Sequence, residues 1–136
     1  MTLGQNFRRP AILICLFWSL LPSMAQQDPG QPETVMVTLR AKPGAEAELE
    51  RVIARHWETA HKMKLVRDAP HVTVRGTEEG NKVYFIDLFT WRDGGIPDAA
   101  PAEIQAIWSE MNRLVEAREG HPGLEFVAVS IVTPLR

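Results

Sequence analysis

The 136 residues contain one cysteine, Cys15, and it lies near the start of the chain. No disulfide and no thiolate metal site can therefore form within the body of the protein, whose core must hold without covalent staples. Basic clusters are also missing. None exceeds the Lys62, Met63, Lys64 stretch, and the formal net charge is −2. Neither nucleic acid nor an anionic membrane surface is an expected partner. Long apolar runs are absent too. The longest, Ala11 to Leu21, falls well short of the roughly 20 residues that span a bilayer. No nucleophile elbow, phosphate-cradling glycine loop or dinucleotide fingerprint occurs, so no cofactor is expected. His56 and His61 are five apart, whereas two ligands on one helical face need a spacing of four. No metal site is expected from them.

The apolar run has the surroundings of a secretory signal peptide. Arg8 and Arg9 precede it, Pro22 breaks it, and Ser23-Met24-Ala25 supplies small residues before a cleavage site. Asn6 to Pro10 lacks the rest of a twin-arginine motif. Ile14 is too large to precede a lipidated cysteine at Cys15. The expected division is a signal peptide over 1–25, a polar, turn-rich leader over 26–33, and one α+β domain over 34–136. Localisation is then periplasmic or extracellular, with no stable membrane anchor.

Periodicity within the domain predicts six elements. Thr34 to Arg40 alternates as a strand. Ala45 to about His61 is a helix whose apolar face carries Leu49, Val52, Ile53, Trp57 and Ala60. Glu46, Glu48 and Glu50 crowd its first turns, where the helix dipole favours negative charge. Asp68-Ala69-Pro70 closes that stretch, and His71 to Thr77 is a second strand. Gly80-Asn81 suits a tight hairpin. Lys82 to Trp91 is a nearly continuous apolar strand, expected to be central. A helix from Pro101 to about Glu119 follows, with Ile104, Ile107, Trp108, Met111, Leu114 and Val115 as its stripe. Leu124 to Val132 is the last strand.

The order βαββαβ with right-handed crossovers predicts a ferredoxin-like fold: a four-stranded antiparallel sheet with both helices on one face. Alternation splits the third strand into Tyr84, Ile86 and Leu88 on one side and Phe85, Phe89 and Trp91 on the other. Alternation leaves open which of the two sets the helices cover. The other needs cover of its own, and two sheets packed face to face as a homodimer supply it.

The chain at this point resembles the dimeric α/β-barrel superfamily, and within it the antibiotic biosynthesis monooxygenase-like domains. The resemblance covers about residues 34–133. It rests on the element order and on a third strand ending Phe89-Thr90-Trp91 with Arg92-Asp93 opening the next loop. It implies cofactor-independent oxygenation of an electron-rich aromatic such as a quinol. The chain departs from the family at three places. Phe89 stands where many relatives have glutamate. Pro97 to Pro101 contains no histidine. The first strand has no asparagine of the kind that the haem-degrading branch uses, which leaves haem handling as the least supported alternative.

Polar residues inside strands are the candidate chemistry. Asp87 sits mid-strand on the side of Phe85, Phe89 and Trp91, and a carboxylate there is costly unless paired. His71, Arg75 or Arg40 could pair with it. Either it forms a structural ion pair or it is the polar group of a ligand cavity. In the second case Asp87 or His71 would be the acid/base group, and Trp91, Arg75, Phe89 and Phe85 would line the site around a small aromatic ligand. Trp57 and Trp108 are expected in the core, and His121 in a solvated turn. A non-catalytic binding or interaction module of the same fold is the alternative function.

Overall fold

The computed structural model describes residues 30–132. The expected signal peptide lies outside the described residues, as do most of the leader and the last four residues. The elements are β1 (Glu33–Arg40), α1 (Glu46–Lys62), β2 (Val66–Glu78), β3 (Lys82–Trp91), α2 (Ala102–Leu114) and β4 (Leu124–Ala128). They form one antiparallel sheet in the order β2-β3-β1-β4, with the helices on one face. This is the ferredoxin-like α+β fold expected from the sequence. The β2–β3 hairpin turns through Gly80 (φ 75°) and Asn81 (φ 58°), the positive angles that glycine and asparagine tolerate.

Strand register decides which side of β3 meets the helices. Val83, Phe85, Asp87, Phe89 and Trp91 are buried on the helix side. Three rows cross the sheet on that side. His71, Phe89, Val35 and Ala128 form one, Thr73, Asp87, Val37 and Phe126 the next, and Arg75, Phe85, Leu39 and Leu124 the third. Leu49, Val52 and Ile53 of α1 and Ile107 and Met111 of α2 pack on Leu39 and Phe85. Ala60 and Ile104 pack with Val35, Phe89 and Trp91.

The opposite face has no covering layer among the described residues. Val72, Leu88, Met36 and Val127 form an apolar row across all four strands there. Val72 is 52% exposed and Val127 49%. Tyr84 lies flat across Gly76 on this face, so closely that any Cβ at position 76 would overlap its ring.

Three boundaries differ from those expected. β2 begins at Val66 rather than His71, because α1 stops at Lys62 and the chain reverses through Lys64 (φ 58°). Its register to β3 is irregular between Val66 and His71, and the edge position of β2 tolerates Pro70. α2 ends at Leu114 rather than near Glu119. Its last carbonyl accepts from the Lys42 amide at 2.9 Å, and the Glu116 amide donates to the Arg40 carbonyl at 2.9 Å. Backbone bonding to 40–42 thus replaces the next helical turn, although the apolar stripe continues to Val115. β4 is also shorter, ending at Ala128.

Arg118, buried just beyond α2, ties these segments together. Its guanidinium donates to the carbonyls of Ala41 and Val83, and it pairs with Glu116 and Glu78.

Candidate functional site

A cavity of about 320 Å³ lies between the sheet and the two helices. Its walls are mainly apolar: Val35, Val37, Leu39, Phe89 and Trp91 from the sheet, and Ile53, Trp108 and Met111 from the helices. Asp87 and His56 are its two buried titratable groups. Asp98 and Asn112, both exposed, stand at its rim. Phe126 lines the edge-strand end and is 63% exposed, so the cavity opens toward β4.

Asp87 reaches this position because β3 is central and residue 87 alternates with Phe85 and Phe89. It is 2% exposed. The Thr73 hydroxyl donates to its Oδ1 at 2.7 Å, and His71 Nε2 lies 3.2 Å from the same oxygen. Burial pushes the carboxyl pKa above its ordinary value, opposed by the Thr73 bond and by His71. A carboxyl in this state binds a proton more tightly than one in water, a property that proton exchange with a ligand calls for. Behind it the His71 ring stacks on Trp57, with centroids 3.8 Å apart and planes 13° apart. Trp57 also stacks on His61, which bonds to Asp68 at 2.8 Å.

The structure therefore brings together Asp87, His71, Phe89 and Trp91 of the residues expected from sequence. Asp87, Phe89 and Trp91 line the cavity, and His71 supports Asp87 from the β2 side. Phe85 and Arg75 are not among the lining residues. Phe85 is buried in the core beneath α1, and Arg75 is near Glu50 on the surface, its guanidinium 5.9 Å from the Phe85 ring. Arg40, the third partner considered for Asp87, instead pairs with Glu125 at 2.6 Å and with Glu78. Trp108 lies partly on the core, as expected, and partly on the cavity wall.

Sequence reasoning missed His56. It is 4% exposed, lies at the cavity, and accepts the Trp108 indole N–H at 3.0 Å. It packs edge-on against Phe89 and Trp91. The signal was present: residues 49, 52, 53, 56 and 60 are one helical stripe, and His56 completes it better than Trp57 does. Among the described residues no group of three or more His, Cys, Asp or Glu side chains could hold a metal ion.

Burial, helped by His71, lowers the His56 pKa from 6.5 to about 4. Below pH 6.5 the unfolded chain takes up a proton at this histidine that the folded chain refuses, so folding stability falls as pH drops from 6.5 to 4. Asp87, held above its ordinary pKa, acts in the opposite sense over the acid range. The His56 share is isolated by comparing denaturation curves of wild type and His56→Leu. The gap between them should change by about 3 kcal/mol across this window. An unchanged gap would mean that His56 is protonated in the folded state.

No protein-family model matches the chain, and no curated protein matches it in sequence. Solved structures do match. A mutant form of SnoaB, a cofactor-independent oxygenase from Streptomyces nogalater, superposes with a TM-score of 0.56 at 17% identity, over 77% of this chain and 97% of that one. A candidate antibiotic biosynthesis monooxygenase from Bacteroides thetaiotaomicron gives 0.54 at 13% identity, over 76% and 92%. Rv0793 from Mycobacterium tuberculosis gives 0.52 at 9% identity, over 78% and 100%. The described domain thus has the ferredoxin-like fold of the antibiotic biosynthesis monooxygenase-like proteins.

Proposed function

We propose that this chain is an exported, homodimeric protein that binds a small aromatic ligand between its sheet and helices and oxygenates it without a cofactor. The observation that carries the reading is Asp87, a buried carboxyl of raised pKa in a mainly apolar cavity of ligand size. The fold shared with a cofactor-independent oxygenase supports the reaction class. In its carboxylate form Asp87 takes a proton from a quinol substrate, with His71 stabilising the charge. The deprotonated ring then passes electrons to dioxygen. For hydroquinone, one oxygen atom ends on the ring as hydroxybenzoquinone and the other leaves as water, so the substrate supplies all the electrons. Oxygen uptake with a panel of quinols tests the reaction.

A non-catalytic binding module of the same fold is the second reading. Phe89 favours it, because that side chain adds apolar wall where the resemblance implies a glutamate. Saturable binding of quinols without oxygen uptake would select it.

The homodimer is supported by the uncovered apolar row of Val72, Leu88, Met36 and Val127. Export is supported by the pattern from Arg8 to Ala25. N-terminal sequencing of protein recovered outside the cytoplasm should begin at Gln26; a chain still beginning at Met1 would contradict cleavage.

A further inference from the structure

Trp108 fixes the proton on the ring of His56. The indole Nε1–H donates to His56 Nε2 at 3.0 Å, and an indole nitrogen can only donate. Nε2 is therefore the unprotonated nitrogen. The low pKa keeps the imidazole neutral at pH 7, so its one proton sits on Nδ1. Among the described residues Nδ1 has no hydrogen-bond partner, yet no fully buried side-chain nitrogen or oxygen is left unpaired. Nδ1–H is accordingly open to the cavity that His56 lines. Asp87 answers the same description with the opposite polarity. Its Oδ1 takes both Thr73 and His71, which leaves Oδ2 open to the same space.

We propose that His56 is a specificity-determining residue: its Nδ1–H donates to an acceptor oxygen on the ring ligand and holds that oxygen toward α1, while Asp87 takes the ligand's hydroxyl side. Trp108 is then the positioning residue that selects the donor tautomer. This inference rests on the ligand-binding reading above and adds to it the chemistry of recognition. An isolated imidazole can carry its proton on either nitrogen, so a free histidine would offer the ligand a donor or an acceptor. With Nε2 engaged, only the donor is presented. Because the ring stays neutral, it recognises a carbonyl or ether oxygen by hydrogen bonding and exerts no pull on carboxylates as such.

Tetralin and 1-tetralone test this, since they share a skeleton and differ by one carbonyl. Their affinities are measured by ligand-observed NMR on the folded protein. His56→Leu should lower the ratio of ketone to hydrocarbon affinity by roughly three- to tenfold, the worth of one neutral hydrogen bond. Trp108→Phe leaves His56 in place but frees its tautomer, and should lower the same ratio by about twofold or more. Dividing by the hydrocarbon removes any general loosening of the cavity. Nitrogen-15 spectra of the wild-type imidazoles should show His56 protonated at Nδ1; this holds whether or not His56→Leu folds, and a ring protonated at Nε2 would overturn the proposal. Tetralin binding with an unchanged ratio in both variants would overturn this inference alone. Binding of neither compound would overturn the ligand-binding reading and the inference with it.

Discussion

Asp87→Asn should lower quinol-dependent oxygen uptake by about 10²–10⁴-fold, the usual worth of a positioned acid/base group. The substitution keeps the shape of the side chain, and its carbonyl oxygen can still accept from Thr73, which bonds Oδ1 at 2.7 Å. What it removes is the ability to hold and release a proton inside the cavity. Stability should change little, and in the direction of a higher Tm, because burial already disfavours the ionised form of Asp87. A structural ion pair with His71 makes the opposite forecast. Breaking a truly buried pair costs about 3–5 kcal/mol, although the 23% exposed His71 side chain softens that figure here. A strongly destabilised variant, together with wild-type protein that consumes no oxygen, would falsify the catalytic role and leave Asp87 as a structural residue.

Ile86→Arg should convert the protein from dimer to monomer. Ile86 lies on the open face of β3, paired with Val74 on one side and Thr38 on the other. The apolar row of Val72, Leu88, Met36 and Val127 runs beside it. In a dimer packed through this face, Ile86 is near the centre, where an unpaired charge meets the full cost of desolvation. A free monomer would tolerate it, since Ile86 is only partly buried there and arginine can carry its charged end into water. Light scattering at micromolar concentration should give about twice the chain mass for wild type and the chain mass for the variant. A wild-type monomer would mean that the row is covered in another way, and a dimeric variant would place the interface elsewhere.

Much of this architecture was legible in the sequence, for physical reasons that can be named. The alternation in β1, the Gly80-Asn81 turn and the apolar stripes of both helices are local patterns, and each appears where its periodicity puts it. The end of α2 was not legible. The stripe runs on to Val115, but hydrogen bonds to Arg40 and Lys42, more than seventy residues earlier in the chain, outcompete the next turn. The strand before His71 was hidden because Pro70 reads as a terminator, whereas an edge strand accommodates it. Within the site, Asp87 was visible as a charge interrupting an apolar strand. Alternation alone could not say that Phe85 and Phe89, on one face, would serve different ends; position beneath α1 or beside the cavity depends on helix placement. Arg75 shares that face too, but sits on the edge strand with a side chain long enough to reach Glu50. His56 was readable in principle from the stripe it completes, and its pairing with Trp108 required the helices to be docked.

The space between sheet and helices is expected to receive a small ring compound. Tryptophan fluorescence tests it most directly, because Trp91 and Trp108 both stand in the cavity wall. Titration with 1-tetralone should quench the wild-type signal saturably. Val37→Phe places a ring inside the cavity from the middle of β1, beside Asp87 and Phe126, without altering a charge. Overpacking of this kind costs about 1–3 kcal/mol, so the variant is first checked for folding by circular dichroism. The folded variant should lose the saturable quenching. Equal quenching of wild type and variant, or none in either, would contradict it.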